Sequence, residues 1–387
     1  MKAEFADRVK RLPPYLFAEI ERLIKEKKAQ GVDLISLSIG DPDLPPPKFV
    51  IDSLKAGVAD LKNHNYSFSQ GEPFFRQAVA DWYKKRFNVD LEQEQVVALL
   101  GSKEGIANVG RAFVNPGDRV LVPDPAYPVY NNATTILNEG IPVAMPLLAE
   151  NGFKPDFDKI EPENVKMMWL NYPNNPTAAT VDKAFLREAV DFAVDNSIIL
   201  CYDNAYSEIS FDGYKPPSIL EIDGAMDVAV EFHSCSKTFS MTGDRIAFAV
   251  GNRQLISGLT KVKSQVDSGP PVYIQKVAAT ALSSYVSDEQ PEFLKKQNEI
   301  YRERRDVLVG TLCGIGLQCD KPKATFYAWV NCKGDSMSFA TKLLNVGVAV
   351  TPGVGFGKYG EGYVRMTFTQ PVERIKEACS RIASIFK

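Results

Sequence analysis

The densest group of reactive side chains in the sequence is Ser234-Cys235-Ser236-Lys237-Thr238, followed by Thr242-Gly243-Asp244-Arg245. A lysine just past an apolar run can form an imine with an aldehyde, and flanking hydroxyls with a nearby arginine can hold an anion. A phosphorylated aldehyde cofactor needs both. The segment reads equally well as a surface lysine in a turn, the fate of most lysines. Asp203 closes a second apolar run, SIILCYD, where an unpaired carboxylate is costly to bury. A protonated pyridine nitrogen would pair with it, and the pair would keep the ring cationic and able to accept electrons. An aspartate in that place can also be a helix N-cap. Tyr206, three residues on, can donate to a phenolic oxygen or simply pack. In Asn171-Tyr172-Pro173-Asn174-Asn175-Pro176-Thr177 two prolines fix a turn that presents an amide, although a bare Asn/Pro turn would look the same. At Gly101-Ser102-Lys103-Glu104-Gly105 a strand meets a helix, whose free N–H groups and Ser102 can bind phosphate.

These clusters need a frame that brings them together. From about residue 96 short apolar runs alternate with turns and amphipathic stretches: VVALL (96–100), RVLVP (119–123), VAMPL (143–147), KMMWLN (166–171), SIILCYD (197–203), VAVEFHS (228–234) and RIAFAVG (245–251). Runs apolar on both faces predict an α/β sheet covered by helices on both sides. In such sheets chemistry sits at the carboxyl ends of strands, which selects Ser102, Asn171, Asp203 and Ser234. Beyond residue 280 a charged helical stretch (292–311) and shorter alternating segments predict a second, smaller domain. The proline-rich DPDLPPPK (41–48) reads as a crossing between the two. The length of 387 residues fits two domains, a large one over 47–280 and a small α+β one built from 1–46 and 281–387.

Composition excludes other classes. Hydrophobic residues are 45% and charged residues 24%, ordinary for a globular enzyme, and a net charge of −3 gives no basic field for nucleic acid or an anionic membrane. The segment MKAEFADRVKRLPPYLF lacks the apolar core of a secretion signal, so a cytoplasmic enzyme is expected. The six cysteines have no zinc-ligand spacing, and only His64 and His233 could serve a histidine metal centre or a Ser-His-Asp hydrolase, so no metal is expected.

Taken together, Ser-x-Ser-Lys with Arg245 downstream, Asp203-x-x-Tyr206, Asn175-Pro176-Thr177 and the late Arg365 in YVRMTF resemble the class I/II aminotransferases of fold type I, over nearly the whole chain. The resemblance implies pyridoxal 5′-phosphate as cofactor and a large domain with a mostly parallel seven-stranded sheet. It implies Lys237 as the lysine that holds the cofactor and moves the substrate proton, Asp203 as partner of the ring nitrogen, and Tyr206 with Asn175 on the phenolic oxygen. Ser102, Lys103 (by its backbone N–H), Ser234, Ser236 and Arg245 resemble the phosphate cup, and Tyr127 the aromatic stacked on the ring. Tyr66 resembles a tyrosine given across a homodimer interface. Arg365, Gly40, Asn175 and Tyr15 resemble the substrate-binding set, with Arg365 gripping the α-carboxylate.

Further segments narrow the resemblance: LPPYLFAEI (12–20), SIGDPDLP (38–45), PDPAYPVY (123–130), NYPNNPTAA (171–179) and EFHSCSKTFSMTG (231–243) are similar to the LL-diaminopimelate aminotransferases. That subgroup aminates tetrahydrodipicolinate from glutamate, with ping-pong kinetics, in lysine biosynthesis. Asp244 and Ala247 depart from its pattern, where a tryptophan and a glycine are more usual, and Ser69 is too short to read a distal amino group. A broad aspartate, aromatic or alanine aminotransferase, or a β-lyase acting on sulfur amino acids, would share most of these residues. A regulator built on the same scaffold would need a DNA-binding segment for which the chain has neither length nor basic patch.

Overall fold

The computed structural model describes residues 3–14 and 16–386. Thirteen strands occur among them: β1 (Ile35–Ser36), β2 (Val96–Leu99), β3 (Arg119–Asp124), β4 (Ile141–Pro146), β5 (Val165–Asn171), β6 (Ile199–Asp203), β7 (Ala229–Ser234), β8 (Ala247–Gly251), β9 (Gln318–Cys319), β10 (Tyr327–Asn331), β11 (Val348–Ala349), β12 (Thr351–Pro352) and β13 (Tyr363–Thr367). Strands β2 to β8 form one seven-stranded sheet in the order β2-β8-β7-β6-β5-β3-β4. All of its pairs are parallel except those of β8, which runs against both β2 and β7.

The seven apolar runs of the sequence are these seven strands, and the reason they are apolar throughout is that helices cover both faces. Helices Pro73–Phe87, Lys183–Asp195 and Val272–Leu282 bury Phe75, Val79, Leu186, Ala189, Ile274 and Val277 against one face. Helices Ser102–Phe113 and Arg253–Lys263 bury Ile106, Val109, Ile256 and Leu259 against the other. The last strand starts two residues later than the run RIAFAVG suggests, because Arg245 has φ +55° and cannot lie in an extended ladder.

A second, antiparallel sheet has the order β12-β13-β10-β9, and β1 pairs with β11 in parallel. Its core packs Tyr327, Val330, Val364 and Met366 against Tyr301, Leu308 and Leu312 of helix Glu292–Gly314 and Ile375, Ala378 and Ile382 of helix Val372–Ser384. The charged stretch expected at 292–311 is thus one long helix that runs three residues further. The proline-rich 41–47 carries no regular structure and ends at helix Lys48–Ala59.

The segment after β6 is locked from two sides. Arg86 Nε donates to Glu208 Oε1 at 3.0 Å and Tyr285 Oη donates to Glu208 Oε2 at 2.6 Å, with all three side chains buried. Asn298 Nδ2 donates to the Glu208 carbonyl at 2.9 Å. Breaking one half of a buried ion pair leaves the other charge uncompensated. Arg86→Met should therefore lower unfolding stability by about 3–5 kcal/mol in urea titration, and Arg86→Lys by less.

Candidate active site

The carboxyl ends of β5, β6 and β7 converge on a cleft of about 360 Å³ between the two sheets. Its walls include Gly40, Ser102, Lys103, Tyr127, Asn175, Asp203, Tyr206, Ser234, Ser236, Lys237, Arg245 and Arg365. With Asn171, which also lines it, thirteen of the fifteen candidate site residues therefore share one cavity. Tyr66 does not line it and is 92% exposed. Tyr15 lies outside the described residues.

Asp203 ends β6 beside Asn171 at the end of β5, in register. The Asn171 side chain ties three segments together. Its Nδ2 donates to the Asp203 carbonyl at 2.7 Å, and its Oδ1 accepts from the Asn175 backbone N–H at 2.8 Å. Asn174 adds Nδ2 to the Asn171 carbonyl at 3.0 Å and accepts from the Thr177 N–H and hydroxyl at 2.9 and 2.7 Å. No helix follows Asp203 directly, so the N-cap alternative is not what the chain uses. The Asp203 side chain is 5% exposed. Burial pushes its carboxyl up to about 6 while the Tyr130 hydroxyl, donating to Oδ2 at 2.6 Å, pulls it back. Oδ1 has no hydrogen-bond partner.

Lys237 sits in the short helix Cys235–Thr238 just past β7, with Nζ 3.1 Å from the Gly40 carbonyl oxygen. Burial pulls its ammonium down to about 8, helped by the positive Arg245 and Arg365 and opposed by Asp41. A neutral amine is thus available well below the usual lysine range. In apoprotein, acylation of Lys237 by an amine-directed reagent should rise with pH only to about 8 and level off above, while surface lysines keep gaining reactivity towards about 10.4. Peptide mapping by mass spectrometry reads the two classes separately.

At the opposite end, Gly101 (φ +81°) enters helix Ser102–Phe113 without a side-chain cap, and a Cβ there would lie 2.1 Å from Arg245 Nη2. Arg245 is held by Nη1 to the Thr242 carbonyl (2.8 Å) and Nη2 to the Leu100 carbonyl (3.3 Å). The hydroxyls of Ser102, Ser234 and Ser236 line the same cavity, which makes this end an anion cup.

Arg365, from β13, is 3% exposed. Its Nη1 donates to Asn175 Oδ1 and its Nη2 to the Ser38 carbonyl, both at 2.7 Å. The guanidinium lies 4.3 Å from the Tyr327 ring centroid and 4.8 Å from that of Phe356, a site for cation–π contact. Tyr327 Oη is 2.8 Å from Tyr206 Oη, and a Cβ on Gly40 would fall 2.0 Å from the Tyr327 hydroxyl. Only glycine fits there.

Tyr130 and Tyr327 were not found from the sequence. Tyr130 stands three residues after Tyr127, a spacing that puts both on one side of a helical turn, and that was a usable signal. Tyr327 lies in an apolar strand where an aromatic residue reads as core. Among the described residues no cluster of histidine, cysteine and acidic groups could hold a metal ion, and no helix is long and apolar enough to cross a membrane.

The cavity fits pyridoxal phosphate on its own chemistry: an orphan carboxylate oxygen on one wall, an anion cup on another, and an amine of lowered basicity between them. Comparison with known proteins agrees. Residues 32–382 match the family model for aminotransferase class I and II. The LL-diaminopimelate aminotransferase of Desulforudis audaxviator is 50% identical over 384 residues, spanning 97% of this chain and 96% of that one. The LL-diaminopimelate aminotransferase of Aquifex aeolicus is 49% identical over 390 residues, 99% of both. Among solved structures, substrate-bound BacF from Bacillus subtilis superposes with a TM-score of 0.93 at 36% identity, covering 100% of this chain and 98% of that one. Aspartate aminotransferase from Thermus thermophilus with maleate gives 0.92 at 28% identity, covering 99% and 100%.

Proposed function

The chain belongs to the class I and II aminotransferases, which are pyridoxal-phosphate enzymes acting on amino acids and 2-oxo acids, and from that premise we propose that it is an LL-diaminopimelate aminotransferase. In this reading it moves an amino group from glutamate to tetrahydrodipicolinate, in lysine biosynthesis. The observation that carries the substrate is identity of 44–50% to proteins of that name along the whole chain.

When bound, the cofactor supplies an aldehyde for the substrate amine and a ring that withdraws electrons from the substrate α-carbon. The chain's own residues do the rest. Arg365 pairs its guanidinium with the α-carboxylate as a fork that lysine cannot copy, and Gly40 leaves room for that end of the substrate. Asn175, gripped by Arg365 and Asn171, and Tyr206 donate to the phenolic oxygen. Ser102, the Lys103 N–H, Ser234, Ser236 and Arg245 would take the phosphate, and Tyr127 would line the ring's side of the cleft. Asp203 would offer Oδ1 to the ring nitrogen. Lys237, a neutral amine near pH 8, removes the α-proton and returns it on the other side of the reaction. Two half-reactions through one site give ping-pong kinetics.

The exposed Tyr66 and Phe68 lie on a segment bonded to 267–268 through Ser67 and Ser69, next to the exposed Val266. This apolar surface supports a homodimer in which Tyr66 completes the second copy's phosphate site. The two sheets with separate cores support domains at 47–280 and at 1–46 with 281–387, and the reading places the enzyme in the cytoplasm.

Rapid mixing of holoenzyme with single amino acids tests the substrate. LL-diaminopimelate and glutamate should bleach the bound cofactor's long-wavelength absorbance within one turnover, and aspartate, phenylalanine and cystathionine should not. Reaction with aspartate or phenylalanine but not diaminopimelate would replace the substrate and keep the transamination. Pyruvate released from cystathionine without a 2-oxo acid would mark a β-lyase.

A further inference from the structure

We infer that Tyr130 is a positioning residue for Asp203: its hydroxyl occupies one carboxylate oxygen as a fixed donor and leaves the other, Oδ1, as the acceptor for a cationic ring nitrogen. The inference rests on the reading of Asp203 above.

Three observations carry it. The Tyr130 Oη to Asp203 Oδ2 distance of 2.6 Å is that of a strong hydrogen bond to a carboxylate, with both groups buried, while Oδ1 is buried without a partner. Tyr130 is rigid. Its ring stacks on Trp169 with centroids 4.7 Å apart at 14°, edge-on to Tyr127 at 5.9 Å, and it opens a π-helical turn, Tyr130–Thr135, pinned by the Thr135 hydroxyl on the Tyr130 carbonyl at 2.9 Å. That turn is irregular, and π turns place side chains where an α-helix would not. Lastly, among the described residues Tyr130 is the one side chain that donates to the carboxylate: the Ala205 backbone N–H also reaches it, while the strand bonds and Asn171 hold the Asp203 backbone. The other titratable groups near Asp203 are Tyr202 and Tyr206 from its own segment and His233 from β7. A phenol as weak an acid as Tyr130, pushed up further by burial, donates without giving up its proton. It therefore favours the ionised carboxylate over the protonated one without competing for the ring's positive charge.

The test compares binding of pyridoxamine 5′-phosphate, which needs no bond to Lys237, with binding of its 1-deaza analogue, in which carbon replaces the ring nitrogen. Calorimetry on apoprotein at pH 7.5 should show Tyr130→Phe weakening the natural compound roughly tenfold and the analogue not at all. The phenyl ring keeps the Trp169 stack, so the melting temperature should hold. Equal weakening of both compounds, or of neither, overturns the inference. Should the phenylalanine variant not fold, 3-fluorotyrosine inserted at position 130 keeps the shape and strengthens the donor, and must then tighten the natural compound selectively. Asp203→Asn separates the two layers. If it too fails to discriminate between the compounds, the reading of Asp203 falls. If it discriminates and Tyr130→Phe does not, only the role of Tyr130 falls.

Discussion

Lys237→Ala is expected to lower kcat by at least about 10⁴-fold, combining loss of the attacking amine with loss of general-base catalysis, itself worth roughly 10²–10⁴. Nothing nearby can substitute. Among the described residues the cleft holds three other amine or guanidinium cations: Lys103 and Arg245 stand together at the phosphate cup, and Arg365 is committed to Asn175 and the Ser38 carbonyl. The variant should still hold cofactor, because the anion cup and Asp203 are untouched, and it should be purified with substrate or cofactor amine retained. Two measurements check it. Single-turnover mixing should show slow exchange with amino acids, and added methylamine should restore part of the proton transfer in a concentration-dependent way. Activity within tenfold of the parent would move the chemistry to another residue.

Arg365→Lys should cost about 10²–10³ in kcat/KM, mostly through KM, and Arg365→Ala more. The geometry gives the reason. The guanidinium is sandwiched near the Tyr327 and Phe356 rings and spends two of its donors on Asn175 and Ser38, which orient it for a further fork to a carboxylate. An ammonium keeps the charge but loses the plane that stacks and the paired donors. Because Asn175 Oδ1 would also lose its partner, the variant should shift the spectrum of bound cofactor slightly, whereas a role confined to substrate would leave it unchanged. Initial-rate kinetics with LL-diaminopimelate and titration with a non-reacting dicarboxylate measure the two effects separately.

Much of this site was legible in the chain, and for a physical reason. In a sheet covered on both faces, strand interiors are uniformly apolar, so the polar residue that ends a strand stands out: Asn171, Asp203 and Ser234 were selected in that way and do line or brace the cleft. Arg365 is different. It faces the cleft from an antiparallel strand whose own sequence, YVRMT, gives no hint of what lies across from it, and its place follows from resemblance alone. Tyr327 was illegible because a buried tyrosine signals packing unless its hydroxyl's partner is known, and Tyr130 offered only its spacing from Tyr127; both hydroxyl partners are distant in sequence. The late start of the RIAFAVG strand at Ala247 was hidden likewise, since a left-handed arginine leaves no compositional trace.

The reversed strand β8 has a consequence for synthesis. By turning back beside β2 and β7 it completes the seven-stranded sheet at Gly251, so every side chain assigned here to the cofactor, from Ser102 to Arg245, has been translated by then. Arg365 arrives on β13, after the whole second sheet has begun to form. The side chains that would hold the cofactor thus come from an earlier stretch of the chain than the arginine that would grip the substrate carboxylate, and the cleft is complete only when the second sheet closes on the first.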